Sequence, residues 1–187
     1  VMNRGGLAPR LLRFMDALVG HLRGGLAYVV VLTCMFLGAV SGSAPATVVA
    51  ICSIMLPAMI ESGYGKAFSV GLIMASSSVA VIIPPSIGMI IYGTVTNTSI
   101  GSLFVAGFIP GLIYGLVFMI YSFLYAKKHN VPVRKRASGK EILLALKEAI
   151  WVLGIPIIIL GGIYGGFCTP TESAGIAAVY AIIVSLF

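Results

Sequence analysis

The chain has 187 residues, 59% of them hydrophobic and only 9% charged, with a mean hydropathy of +1.10. A water-soluble domain of this length needs far more charged surface, so the composition excludes an ordinary soluble enzyme or binding module and makes lipid the solvent. The net charge of +7 invites a nucleic-acid reading, but basic clusters beside apolar spans are the usual mark of cytoplasmic loops. Cys34, Cys52 and Cys168 are scattered without a CxxC and read as small hydrophobes, not as a disulfide framework. Val1 begins mid-pattern and Phe187 ends inside an apolar run, so the expectation is a piece of a longer polytopic chain with no signal peptide in view.

In chain order, residues 1–23 form a first unit. Leu7, Leu11, Phe14, Met15, Leu18 and Leu22 share one helical face, with Arg10, Arg13 and His21 towards the other. A basic amphipathic helix of this kind lies in the membrane interface. Residues 24–126 form a second unit, and 24–60 carry no charge. Their apolar run breaks at Ser41-Gly42-Ser43-Ala44-Pro45 into two arms, each short of the ~20 residues that span a bilayer. Two half-length helices with a small-residue tip predict a re-entrant hairpin, and two short ordinary spans are the plainer reading. Residues 67–97 break again at Pro84-Pro85-Ser86, where two prolines remove two amide donors and push Ile83 out of the α region. A discontinuous transmembrane helix is expected there, and 103–126 read as one uninterrupted span. Residues 127–149 are a basic loop followed by a second amphipathic arm, which Ser138 could cap and in which Lys140, Glu141, Lys147 and Glu148 alternate with Ile142, Leu143 and Leu146. Trp151 stands where an interfacial aromatic belongs. Residues 150–187 read as a helical hairpin that goes out over 150–167, turns at Cys168–Ser173 and starts back.

This topology can be checked by parity. A hairpin returns to its starting side, 67–97 cross, and 103–126 cross back. All twelve Lys and Arg residues then fall on one face, which the positive-inside rule makes cytoplasmic.

Chemistry is expected at the two interruptions. Discontinuous helices expose unpaired amides and carbonyls near the membrane midplane, where an anionic group or a cation can bind. Ser41, Ser43, Thr47, Ser86 and the carbonyls around Gly42 and Pro84 are the candidate oxygens, suited to a hard cation. The plain alternative is that these hydroxyls only satisfy broken backbone. Between His21 and His129 the only Asp, Glu or His is Glu61, in a loop beside Lys66. Proton coupling draws on a titratable group inside the membrane, so sodium is the easier ion to explain. No histidine stands near Ser41 or Ser43 to activate a nucleophile, so the chain does not read as an intramembrane enzyme. Gly161, Gly162, Gly165 and Gly166 form overlapping small-xxx-small pairs and predict close helix packing.

The residues also carry a family resemblance, along essentially the whole chain from about Met2 to Phe187. Gly24–Ala27 (GGLA), Gly38–Thr47 (GAVSGSAPAT), Ile54–Met59 (IMLPAM), Ser62–Tyr64 (SGY), Ile82–Ile87 (IIPPSI), Leu103–Gly107 (LFVAG), Pro110–Gly111 and Gly161–Ala174 (GGIYGGFCTPTESA) succeed one another in order. They resemble the large membrane subunit of tripartite ATP-independent periplasmic (TRAP) transporters, the DctM-like permeases. The resemblance implies an all-α, polytopic, elevator-type transporter fold in a bacterial or archaeal cytoplasmic (inner) membrane. It further implies a sodium-coupled importer of an organic acid, working with a small membrane subunit and a periplasmic substrate-binding protein. No cofactor is implied beyond sodium as the coupling ion. Carried onto this chain, the first sodium site would involve Ser41, Gly42, Ser43 and Ala44 with Pro84, Pro85 and Ser86, and Ser43, Thr47 and Ser86 would line the substrate path. Cys52 and Ser78 depart from the family pattern, which has glycine there. The competing reading is a membrane scaffold or assembly protein whose helix breaks serve packing alone.

Overall fold

A computed structural model describes residues 7–186, with side chains from 8 to 184. Among these residues the secondary structure is entirely helical: α1 (Leu7–Val19), α2 (Gly25–Ser41), α3 (Ala44–Glu61), α4 (Lys66–Ser77), a 3₁₀ turn (Ser78–Val81), α5 (Ile87–Thr96), α6 (Ile100–Lys128), α7 (Gly139–Tyr164) and α8 (Pro170–Leu186). Helices α3, α6 and α7 are long and apolar enough to cross a membrane, while α2, α5 and α8 are shorter apolar helices.

The first helix is amphipathic as its spacing predicts. Ala8, Leu11, Leu12, Phe14 and Met15 are buried in one cluster with α2 and α7 residues, Ala145 and Ala149 among them. Leu18 and Leu22, placed on the same face by sequence, are exposed; Leu22 lies beyond the end of α1 at Val19, where the chain turns towards Gly24. The Leu7 side chain lies outside the described residues, as do residues 1–6.

Helix α2 is buried along most of its length, from Gly25 through Ala39. It packs against α1, α3, α4 and α6 and is therefore the central post of the fold. An almost unbroken apolar helix suits that position, since every side of it meets protein. Only Gly42 and Ser43 separate α2 from α3, so the two form a tight hairpin with Pro45 in the first turn of α3. The backbone at Gly42 is left-handed (φ 59°), a conformation glycine adopts without the cost a Cβ would bring.

The α3 end of this hairpin meets the loop that follows α6, and the turn after it meets α6 itself. Arg134 donates to Ser62 Oγ (3.3 Å) and to Asp16 (3.5 Å), and the Gly65 amide donates to the Tyr125 hydroxyl (3.3 Å). Phe68 stacks on Tyr125 at 3.5 Å, and Tyr64 is stacked at the same place. Tyr64 is buried, and loss of solvent pushes its phenol up to about 12, so it remains a neutral packing group. Arg13 pairs with Glu148 at 3.0 Å and ties α1 to the first half of α7.

Two sequence expectations need correction here. The second arm (138–150) and the following span (150–167) are not separate pieces, because Gly139–Tyr164 is one helix. Ser138 opens it with a reciprocal capping box to Glu141, and nothing at Ile150–Trp151 interrupts the run of helix formers. Among the described residues the glycines at 161–166 do not make a close-packed seam either. The helix ends at Tyr164, Gly166 is in a left-handed turn, and positions 161 and 166 face open space. Of these four, only Gly162 approaches another helix, at Ser173 of α8.

Candidate ion site at the hairpin tip

The broken helix opens earlier than its prolines. Ser78 turns its hydroxyl back to the Ala75 carbonyl (2.6 Å), the chain tightens into the 3₁₀ turn, and regular structure resumes only at Ile87. A hydroxyl bonded to the preceding turn offers the backbone an alternative to the helical ladder. Pro84 and Pro85, joined by a cis peptide bond, then contribute no amide donors. The consequence shows in the hydrogen bonds. Ile82 and Ile83 both donate to Val79 O, Ser86 Oγ donates to Val81 O (2.7 Å), and Ser86 O accepts from Ile90. The carbonyls of Ile82, Ile83, Pro84 and Pro85 accept no hydrogen bond among the described residues. Four consecutive unbonded carbonyls are a concentrated source of negative partial charge, and buried backbone groups are seldom left without a partner.

The hairpin tip sits on this break. A methyl group built at Gly42 would lie 3.0 Å from Pro85 O and 3.1 Å from Ile87 N, and one at Gly38 would lie 2.6 Å from Ala80 Cα. Glycine at both positions thus lets α2 run directly against the interrupted chain. Four helix ends converge as a result: the carbonyl ends of α2 and of the 3₁₀ turn, and the amide ends of α3 and α5. Carbonyl ends carry partial negative charge and amide ends partial positive charge, so the junction offers ligands for both a cation and an anion. A cleft of about 160 Å³ opens beside it, lined by Ser41, Gly42, Pro85, Ile87, Phe104 and Ile163, among others.

The candidate side chains divide between the two halves of this junction. Ser41 Oγ lies 3.1 Å from Thr47 Oγ1 and 3.3 Å from the Ser43 carbonyl, to which Thr47 also donates at 3.0 Å. Thr47 is buried, and its bonds to Ser41 and Ser43 hold the tip closed on itself. Ser43 and Ser86 are the residues that precede α3 and α5, and neither side chain caps its helix. Ser86 is fully buried and Ser43 half-buried. Ala44 and Pro45 begin α3, where Ala44 offers an amide and Pro45 none. Ser41, Gly42, Pro84, Pro85 and Ser86, drawn from segments forty residues apart, are therefore brought to one place.

Residues to which the sequence reading gave no role at the site complete the junction. Gly107, Gly111 and Gly115 recur every fourth residue on α6 and are buried. A methyl group at 107 would lie 2.5 Å from Ile82 O, one at 111 would overlap Ile83, and one at 115 would overlap Met35. This stripe lets α6 close over the first two of the four unbonded carbonyl residues and over α2. The G-xxx-G-xxx-G spacing was visible in the sequence and is the same small-residue signal that membrane helices use for close approach.

Taken together, the helices and the junction define a multi-pass α-helical membrane protein built around an interrupted helix and an opposing hairpin tip. Comparison with known proteins names the family. The family model described as "Tripartite ATP-independent periplasmic transporter, DctM component" matches residues 1–187, and the chain belongs to that family. It is 48% identical over 184 residues to the ectoine TRAP transporter large permease protein TeaC of Halomonas elongata, covering 98% of this chain and 43% of that protein. It is 47% identical over 186 residues to the C4-dicarboxylate TRAP transporter large permease protein DctM of Pseudomonas aeruginosa, with 100% and 44% covered. It is also 47% identical over 187 residues to the isethionate TRAP transporter permease protein DctMQ of Oleidesulfovibrio alaskensis, with 100% and 29% covered. The chain thus spans less than half the length of these relatives. All three are named as transporter permeases and none as an enzyme.

Proposed function

We propose that this chain is part of the large permease subunit of a sodium-coupled secondary transporter that imports an organic acid. The observation that carries the reading is the run of unbonded carbonyls at Ile82–Pro85, whose last member, Pro85 O, lies against the hairpin tip at Gly42. Carbonyl and hydroxyl oxygens suit a hard monovalent cation better than they suit a proton, and no Asp, Glu or His lies at this junction. In this reading Ser41, Gly42, Ser43 and Ala44 supply one side of the ion site and Pro84, Pro85 and Ser86 the other. The hairpin is re-entrant and stops against the break. The amide ends of α3 and α5 are left for the anionic group of the substrate, with Ser43, Thr47 and Ser86 as candidate lining residues.

The family relationship supports the transporter reading. It also supports the partners: a small membrane subunit and a periplasmic binding protein that delivers the substrate. The relatives are named for ectoine, C4-dicarboxylate and isethionate, so family membership leaves the choice of acid open. The basic end of the bundle, where Arg134 and Lys66 lie, is assigned to the cytoplasm of a bacterial or archaeal inner membrane by its charge. The elevator movement of the hairpin and broken helix against the arms is part of the same proposal.

One observation favours the scaffold alternative. The hydroxyls of Ser41, Thr47, Ser78 and Ser86 all bond nearby backbone or each other, as groups that only repair a broken helix would. Uptake by the full-length protein, reconstituted with both partners in liposomes, separates the two. An imposed inward sodium gradient should drive accumulation of an organic acid. Accumulation that is the same in potassium would overturn sodium coupling, and no accumulation with any acid tested despite correct assembly would favour the scaffold.

A further inference from the structure

The cation surplus of the α1–α7 crossing is not used by the ion site. A cleft of about 540 Å³ opens where the two helices cross, lined by Pro9, Arg10, Arg13, Leu144, Lys147, Glu148 and Trp151. That volume is within the ~300–1,000 Å³ typical of small-molecule sites. Arg13 is neutralised by Glu148 at 3.0 Å. Arg10 and Lys147 have no carboxylate within 4.0 Å among the described residues. The cleft therefore holds three cations against one carboxylate.

Its other wall is apolar. Leu144 is 63% and Trp151 53% exposed, and Leu143 and Ile150 beside them are equally uncovered. A tryptophan with a wet edge and an apolar body marks the level of the lipid head groups. Lys147 and Trp151 are four residues apart on one face of α7, so the charge and the aromatic ring stand one turn apart along the helix. A ligand that fits must present an anion at the level of Lys147 and hydrocarbon at the level of Trp151. A soluble phosphate satisfies only the first condition and a neutral lipid only the second.

We infer that the α1–α7 cleft binds an anionic phospholipid, its phosphate held by Arg10 and Lys147 and its acyl chains running along Leu144 and Trp151. Charge complementarity and the apolar wall argue for lipid over a soluble anion or an acidic peptide. Occupancy would pin the first arm to α7 at the membrane surface, on the side away from the hairpin tip.

The test uses the purified, delipidated full-length protein in neutral detergent, titrated with dioleoylphosphatidylglycerol, dioleoylphosphatidylcholine or inorganic phosphate and followed by native mass spectrometry. Phosphatidylglycerol should bind at least tenfold more tightly than phosphatidylcholine, and inorganic phosphate should not compete. The Arg10→Gln/Lys147→Gln variant should lose roughly thirtyfold in phosphatidylglycerol affinity, as expected for two basic residues at a membrane surface. Lys127→Gln/Lys128→Gln removes the same charge from the exposed end of α6 and should leave binding unchanged. Trp151→Ala, which alters no charge, should weaken phosphatidylglycerol at least threefold and guards against a double variant that elutes as aggregate. Equal losses in the two double variants would reduce the effect to diffuse surface charge and overturn the site. So would the absence of a phosphatidylglycerol preference, or competition by inorganic phosphate.

Discussion

Gly42→Ala tests the junction at the point where tip and break touch. The residue has φ 59°, and its Cβ would lie 3.0 Å from Pro85 O and 3.1 Å from Ile87 N. Left-handed backbone costs an L-residue roughly 1–2 kcal/mol. Both crowding atoms belong to backbone and move only with the break itself. If the penalty falls entirely on the seated tip, its population relative to an unseated tip drops roughly five- to thirtyfold. The half-saturating sodium concentration for uptake should rise by up to the same factor, reaching it when the unseated tip is the major state, because the site exists only when the tip is seated. Insertion should be unaffected, since alanine is as apolar as its surroundings. Gly71→Ala is the control: a Cβ there meets nothing within 4 Å. The assay is sodium-dependent uptake by the reconstituted full-length transporter, with membrane abundance measured alongside. An unchanged sodium half-saturation in Gly42→Ala at normal abundance would refute the claim that tip and break form one site.

Three further outcomes follow from the same geometry. Ser43→Ala and Ser86→Ala should each weaken the sodium dependence of uptake more than expression, and an unchanged sodium response in both would favour the packing reading. Gly111→Leu should overpack the contact with Ile83 and cost about 1–3 kcal/mol, read as a lower unfolding midpoint of the detergent-solubilised protein. An unaltered midpoint would mean that α6 does not close on the break. Single cysteines at Lys66 and Arg134 should resist a membrane-impermeant reagent applied outside sealed cells, whereas cysteines at Thr98 and Glu172 should react. Outside labelling at 134 would reverse the assigned sides.

Much of the fold was legible because lipid restricts the vocabulary. Charge-free stretches can only be helices or be covered by them, so α2, α3, α6 and α8 follow from where Lys, Arg, Asp and Glu are missing. The double proline and the Ser-Gly-Ser tip marked both interruptions because Pro lacks an amide and Gly tolerates positive φ. The early opening of the broken helix was not legible. It depends on which acceptor the Ser78 hydroxyl chooses, and serine is neutral on that question until its neighbours are placed. The continuity of α7 was missed because a change from charged to apolar composition looks like a boundary, although the backbone needs none. The meeting of Gly42 with Pro85 depends on the parallel packing of α2 on α4 and the 3₁₀ turn, with glycine at 38 permitting the approach. No local pattern encodes that pairing. The α6 glycine stripe was encoded, but it stood in a span that looked ordinary.

The central claim is that the open carbonyls of this break bind sodium. The most direct measurement is equilibrium binding of radioactive sodium to the purified full-length protein, comparing the parent with Pro84→Ala/Pro85→Ala. Two alanines restore two amide donors and allow the carbonyls at 80–81 and those of the break to be consumed by intrahelical hydrogen bonds. The account predicts a variant that inserts at normal abundance and binds at least one sodium fewer per protein. Full sodium stoichiometry at unchanged affinity in that variant would contradict it.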